Sequence, residues 1–300
     1  MTQDPNRRTF LKAAGLGATA SALASSGLHA DASTSRTDVD TRKGVELAIA
    51  TICVDGFGDE NFEPAFRLIP RLGYRHVEFN VWHPRVVSLR GIRSIQERCF
   101  SHGLTPICLQ GNAFGGHAAK DVTHKLWLMQ QARALGCRRV KFTGARRGTE
   151  GGLDTVITVL EELAPAAEEL DVLVLVENHA NNNIENIADY EQIFGAVDSR
   201  HVGMCMDTGH FDGAGVNNFD VIERFHDRIL HVDLKDTIAF GTYKTVNYGT
   251  GVTDVPGIAR KVIARGYTGY LLVEQAPPLN ADTLEADLTR AREMFSPFVR

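Results

Sequence analysis

A closed eight-stranded parallel barrel, (β/α)8, is the fold class this chain predicts, and three observations predict it. From Gly44 onward, short apolar runs alternate with stretches of helical spacing, enough for eight strand-helix units. No change of composition interrupts that alternation, so residues 44–300 read as one domain. Four later apolar runs deliver an acid at or near their C-terminal end: Glu177, Asp207, Asp233 and Glu274. A parallel barrel gathers those ends at one mouth, where the carboxylates meet. A doubly wound open sheet shares the local pattern, because periodicity does not show closure.

Ahead of the barrel, residues 1–30 read as a targeting segment. Asn6-Arg7-Arg8-Thr9-Phe10-Leu11-Lys12 precedes a weakly hydrophobic run from Ala13 to Ala24. The arrangement resembles a twin-arginine export signal, without the usual Ser or Thr before the arginines. The run is too short and small-residued for a membrane span. The expectation is an exported or periplasmic protein that meets the twin-arginine export machinery and keeps no stable membrane anchor. Residues 31–43, rich in Ser, Thr and Asp, read as a flexible linker.

The strands follow in order. Val45 to Cys53 is the first, backed by a helix from Asn61 to Arg71, and Gly73 to Asn80 is the second. Ser88 to Ser101 is helical, Leu104 to Leu109 is the third strand, and Ala119 to Leu135 is a helix stopped by Gly136. Arg139 to Phe142 is the fourth strand and Leu153 to Leu170 its helix. The last four strands fall near 172–177, 202–206, 229–234 and 270–274, separated by helices near 184–195, 218–227 and 254–265. A helix from Asp282 to Phe295 closes the chain.

Composition narrows the function classes. The chain is 43% hydrophobic and 23% charged, with 32 basic against 37 acidic residues and a formal net charge of −5. That balance supports one large soluble core and gives no reason to expect a non-specific nucleic-acid surface. The cysteines number five, an odd count with no Cys-x-x-Cys pair. Cys53, Cys108 and Cys205 lie in apolar runs and read as small buried hydrophobes.

Carboxylates brought together at a barrel mouth need a cation or protons. Glu177, Asp207, Asp233 and Glu274 form an all-oxygen candidate set for a hard divalent ion such as Mn²⁺ or Mg²⁺. His179 and His210 keep a mixed set open. Strand alternation puts His231, Asp233 and Lys235 on one face. Further polar candidates at strand ends are Glu78, Asn80, His83, Gln110, Asn112 and Lys141, with Trp82 as a pocket wall. Gly144-Ala-Arg-Arg-Gly148 sets two arginines in a glycine-flanked loop, without the Lys-Ser/Thr ending of a phosphate loop.

Taken together, Gly73-Tyr-Arg-His-Val-Glu-Phe79, Leu175-Val-Glu-Asn-His179, Met206-Asp-Thr-Gly-His210, His231-Val-Asp-Leu-Lys-Asp236, Gly249-Thr-Gly-Val-Thr-Asp254 and Leu272-Val-Glu274 resemble the xylose isomerase-like barrel superfamily, in particular its sugar phosphate isomerase/epimerase branch. The resemblance implies one divalent metal held by Glu177, Asp207, Glu274 and a fourth residue. In many relatives that fourth ligand is the second histidine of a His-x-His-Leu-Lys-Asp run, and here the matching position is Asp233.

The implied activity is isomerisation or epimerisation of a sugar or keto-sugar through a metal-stabilised enediolate. Glu177 and Glu274 would exchange the proton. His210 and Lys235 would hold or polarise substrate oxygens, and Glu78, His83, Asn112, Lys141, His179 and His231 would contact substrate. Expulsion of a β-hydroxyl or glycosyl group from the same intermediate would make a dehydratase or lyase, which product mass distinguishes. A non-catalytic exported sugar-binding barrel is the alternative of a different class. Abasic-site endonucleases of the superfamily fit poorly with the acidic balance and the export signal. Many relatives dimerise or tetramerise, so a homo-oligomer is an option.

Overall fold

The computed structural model describes residues 44–57 and 61–299. The expected export signal and linker lie outside the described residues. The strands are Val45–Ala50 (β1), His76–Asn80 (β2), Thr105–Gln110 (β3), Arg139–Thr143 (β4), Leu173–Glu177 (β5), Val202–Asp207 (β6), Ile229–Leu234 (β7), Asp236–Ala239 (β8), Thr242–Val246 (β9) and Gly269–Val273 (β10). Eight of these close a parallel barrel in the order β1-β10-β7-β6-β5-β4-β3-β2, as the βα alternation predicts. The remaining two, β8 and β9, pair antiparallel as a separate hairpin.

The helices are Ile52–Asp55 (α1), Glu63–Leu68 (α2), Leu89–His102 (α3), Ala118–Leu135 (α4), Gly152–Leu170 (α5), Ile187–Ala196 (α6), Thr208–Gly213 (α7), Asn218–Phe225 (α8), Val255–Ala264 (α9) and Leu284–Phe295 (α10). Five of them, α3, α6, α7, α8 and α9, start at a side-chain cap: Ser88 accepts from Gly91 N at 3.1 Å, and Asn186 with Asp189 forms a reciprocal capping box. No described helix is long and apolar enough to cross a membrane.

Every residue of β5, β6 and β10 is buried, as expected of strands covered by helices on one side and barrel filling on the other. All five cysteines are buried and free, which for Cys53, Cys108 and Cys205 agrees with their reading as small buried hydrophobes.

Two local differences from the sequence reading bear on the mouth. The first strand stops at Ala50, and the chain turns at Thr51 because Ile52 N and Thr51 Oγ1 both donate to Asn80 Oδ1, at 2.8 Å each. The stretch after β7 forms the β8–β9 hairpin, turning at Gly241 with φ 76°.

Candidate active site

The strand ends open into a cavity of about 740 Å³. Glu177 ends β5, His210 sits in α7 directly after β6, Lys235 follows β7 and Glu274 follows β10; all four line the cavity. These are the residues read from sequence as the catalytic group. Glu78, Lys141, Asp207 and Asp233 are fully buried behind that lining.

Two lysines organise the acids. Lys141 Nζ, on β4, lies 2.6 Å from Asp233 Oδ2, 2.7 Å from Glu78 Oε1, 3.0 Å from Glu274 Oε2 and 3.9 Å from Glu177 Oε1. Lys235 Nζ lies 2.5 Å from Asp207 Oδ2 and 3.0 Å from Glu274 Oε1. Glu274 thus joins the two ammonium groups, one through each oxygen.

Two of the remaining oxygens, Glu177 Oε2 and Asp207 Oδ1, are held by neighbours. Gln110 Nε2 donates to Glu177 Oε2 at 3.0 Å, and Gln110 accepts from Asn80 Nδ2, which ties Glu177 through β3 and β2 to the turn at Thr51. Asp207 caps α7, its Oδ1 accepting from His210 N at 2.9 Å. Asn178 exchanges two hydrogen bonds with the Asp207 backbone, each 2.9 Å, and so locks the end of β5 to the end of β6.

Charge in this low-dielectric space separates the acids. Burial pushes the Glu78 carboxyl up to about 8 and Asp207 up to about 7, against the pull of Lys141 and Lys235 respectively. Burial raises Glu177 well above the carboxylate range, Lys141 only partly opposing it. Burial also works against ionised Asp233, but Lys141 and His231 outweigh it and hold this carboxyl far below its usual value. Both lysines are raised well above their ordinary value, because the surrounding carboxylates overcome desolvation.

One oxygen from each of Glu177, Asp207, Asp233 and Glu274 lies within 4.8 Å of the others, so the donor set suits a hard divalent cation. The two ammonium groups already sit against the same carboxylates. A softer set, Cys205, His231 and Asp233, lies within the same mutual reach. There Cys205 Sγ is 3.2 Å from Asp233 Oδ2, and His231 Nε2 is 3.3 Å from Asp233 Oδ1.

One wall is a stack of rings. His210 lies between His179, centroids 3.7 Å apart, and Tyr243, centroids 3.9 Å apart. Ala180 N donates to His210 Nδ1 at 3.3 Å, which leaves the proton of the neutral ring on Nε2. Burial, and then Lys235, depresses the His210 pKa well below the usual histidine value. Across the cavity Phe57 stacks on Trp82, centroids 5.4 Å apart.

Of the other residues expected to contact substrate, Asn112 and His179 line the cavity, whereas Glu78, Lys141 and His231 are enclosed behind it. His83 lies in the turn after β2 and is not among the lining residues. The two loop arginines divide: Arg146 lines the cavity, while Arg147 pairs with Glu185 at 3.0 Å and Asp189 at 2.9 Å. Tyr243 and Phe57 escaped the sequence reading. Tyr243 had a signal, since Gly241 followed by the β-branched and aromatic residues of Thr242–Val246 marks a hairpin.

A family profile described as xylose isomerase-like TIM barrel matches residues 66–294. An inosose dehydratase of Geobacillus thermodenitrificans is 24% identical over 269 residues, 79% of this chain and 89% of that protein. The inosose dehydratase of Lacticaseibacillus casei is 23% identical over 156 residues, and the chain spans about half of it, 52%. Among solved structures, an IolI protein with a bound zinc atom superposes with a TM-score of 0.71 at 17% identity, over 84% of this chain and 99% of that one. The 3-keto-D-glucoside 4-epimerase YcjR of E. coli gives a TM-score of 0.66 at 17% identity, over 84% of this chain and 98% of that one.

Proposed function

The chain belongs to the xylose isomerase-like TIM barrel family, and from that premise we propose that it is a sugar-modifying enzyme that enolises a keto-sugar or keto-polyol. The observation that carries this reading is the convergence of Glu177 and Glu274 with Lys235 and His210 on one cavity. Names of relatives support both branches of the chemistry, dehydratase and epimerase.

In this reading Glu274 removes the proton beside the substrate carbonyl. Lys235 faces the cavity and stabilises the negative charge that develops on the carbonyl oxygen. His210, neutral and protonated on Nε2, donates to a neighbouring substrate oxygen. Glu177 is the acid, since burial favours its protonated form. If it returns a proton to carbon, the product is an isomer or epimer. If it protonates a departing β-hydroxyl, water leaves and the enzyme is a dehydratase.

Glu177, Asp207, Asp233 and Glu274 are the residues that would hold a divalent ion if it displaced the ammonium groups of Lys141 and Lys235 from them, with Mn²⁺ or Mg²⁺ favoured by all-oxygen donors. Such an ion, when bound, supplies Lewis-acid stabilisation of the oxyanion.

The test is incubation of the full chain with keto-sugars and keto-inositols in D₂O, read by product mass and by deuterium at carbon. A product that differs in mass from substrate only by deuterium taken up at carbon marks the isomerase branch, and loss of water marks the dehydratase. Absence of both exchange and product across the panel overturns the reading. We further infer export by the twin-arginine route from residues 6–24, which would bring the enzyme to unphosphorylated substrates.

A further inference from the structure

Each of the four carboxylates that could ligate a divalent ion already has an ammonium group within 4 Å. Lys141 Nζ lies 2.6 Å from Asp233, 3.0 Å from Glu274 and 3.9 Å from Glu177, and Lys235 takes Asp207 at 2.5 Å together with the second oxygen of Glu274. Glu78, which is outside the candidate ligand set, adds a third close contact to Lys141 at 2.7 Å.

A small divalent ion needs oxygen contacts of roughly 2.0–2.2 Å. An ion bonded to Asp233 Oδ2 and Glu274 Oε2 would therefore press against Lys141 Nζ, cation upon cation. Lys141 has little room to withdraw. Its side chain is fully buried, it begins on barrel strand β4, and it does not line the cavity.

The residue at position 233 belongs to the same arrangement. The family resemblance expects a metal-binding histidine there. A neutral imidazole presents one lone pair to a metal and offers an ammonium group little attraction. An aspartate presents a full negative charge, and Asp233 spends one oxygen on Lys141 while the other lies 3.3 Å from His231 Nε2. Lys141 accounts for Asp233, and Asp233 accounts for a lysine buried inside the barrel.

We propose that Lys141 takes the place of a divalent ion in this chain: a fixed internal cation holds Asp233, Glu274 and Glu177 together, and metal binds the cluster tightly only when Lys141 is removed. The carbonyl-polarising role then falls to Lys235, the ammonium group that faces the cavity.

The test is metal binding, which needs no turnover. The full chain, treated with chelator and dialysed, is titrated with Mn²⁺ at neutral pH by calorimetry and by electron paramagnetic resonance of the free ion. Lys141→Met and Lys141→Met/Asp233→His are titrated in parallel, with circular dichroism to establish folding. The expected result is weak uptake by the wild type, and about one ion per chain in the variants with affinity higher by on the order of 100-fold. Tight stoichiometric uptake by the wild type overturns the proposal even if neither variant folds, as does a folded Lys141→Met that binds no better than wild type. Failure to turn over keto-sugars would sink the enolisation reading and leave this result standing, because the binding measurement is independent of substrate.

Discussion

Lys141 Nζ lies 2.6 Å from Asp233 Oδ2, and both side chains are fully buried, on strands β4 and β7, three places apart around the barrel. Removing one partner of such a pair leaves an uncompensated charge in low dielectric. Lys141→Met should cost about 3–5 kcal/mol in metal-free buffer. The double variant Lys141→Met/Asp233→Leu should cost less than the two single changes summed. Urea denaturation of the four proteins measures the coupling, and simple additivity would show the pair to be energetically independent.

Glu177 and Glu274 are assigned the proton transfers. Glu177→Gln and Glu274→Gln should each lower kcat by about 10²–10⁴-fold, the range for loss of a general acid or base. Retained binding of substrate or product, followed by calorimetry, separates lost chemistry from lost structure. Near-normal kcat in either variant removes that residue from the mechanism.

Gln110 positions Glu177 by donating to it at 3.0 Å. Gln110→Leu keeps the bulk and deletes the donor, so kcat should fall about 10-fold with little change in KM, and the acidic limb of the pH profile should shift. A change confined to KM would assign Gln110 to substrate contact.

Gly209 leaves space for Lys235. A methyl group there would lie 2.8 Å from Lys235 Cγ and 3.0 Å from its Cβ, closer than carbon atoms pack. Gly209→Ala should therefore displace the Lys235 ammonium group from Asp207 and Glu274 and reduce activity more than stability. Comparing kcat with the unfolding midpoint tests this.

Acid should weaken the ring wall. The folded-state pKa of His210 lies below its unfolded value near 6.5, so the unfolded chain binds more protons in that window and stability falls as pH drops through and below about 6.5. His179 and His231 are depressed by burial in the same direction. The raised carboxyls of Glu78, Asp207 and Glu177 act in the opposite sense, so the measurable quantity is a difference: between pH 7.5 and about pH 5 the melting temperature of the wild type should fall relative to that of His210→Phe, which keeps the stack but does not titrate. Equal slopes in the two proteins would remove His210 as a source of the acid sensitivity.

The eight barrel strands and the four carboxylates were legible along the chain because both signals are local. A buried parallel strand is a continuous apolar run, and an acid ending one stands out against it. Lys141 was visible as a polar residue in such a run, but its partner was not: Asp233 lies 92 positions away, on a strand reached only by closing the barrel. The same holds for Glu274 joining two lysines, for Tyr243 folding back onto His210, and for Arg146 facing the cavity while Arg147 turns to Glu185. Local pattern records which face of an element is apolar. Which charges meet across the barrel depends on strand register and closure, and there a long-range ion pair inside a buried core governs where each proton and each cation resides.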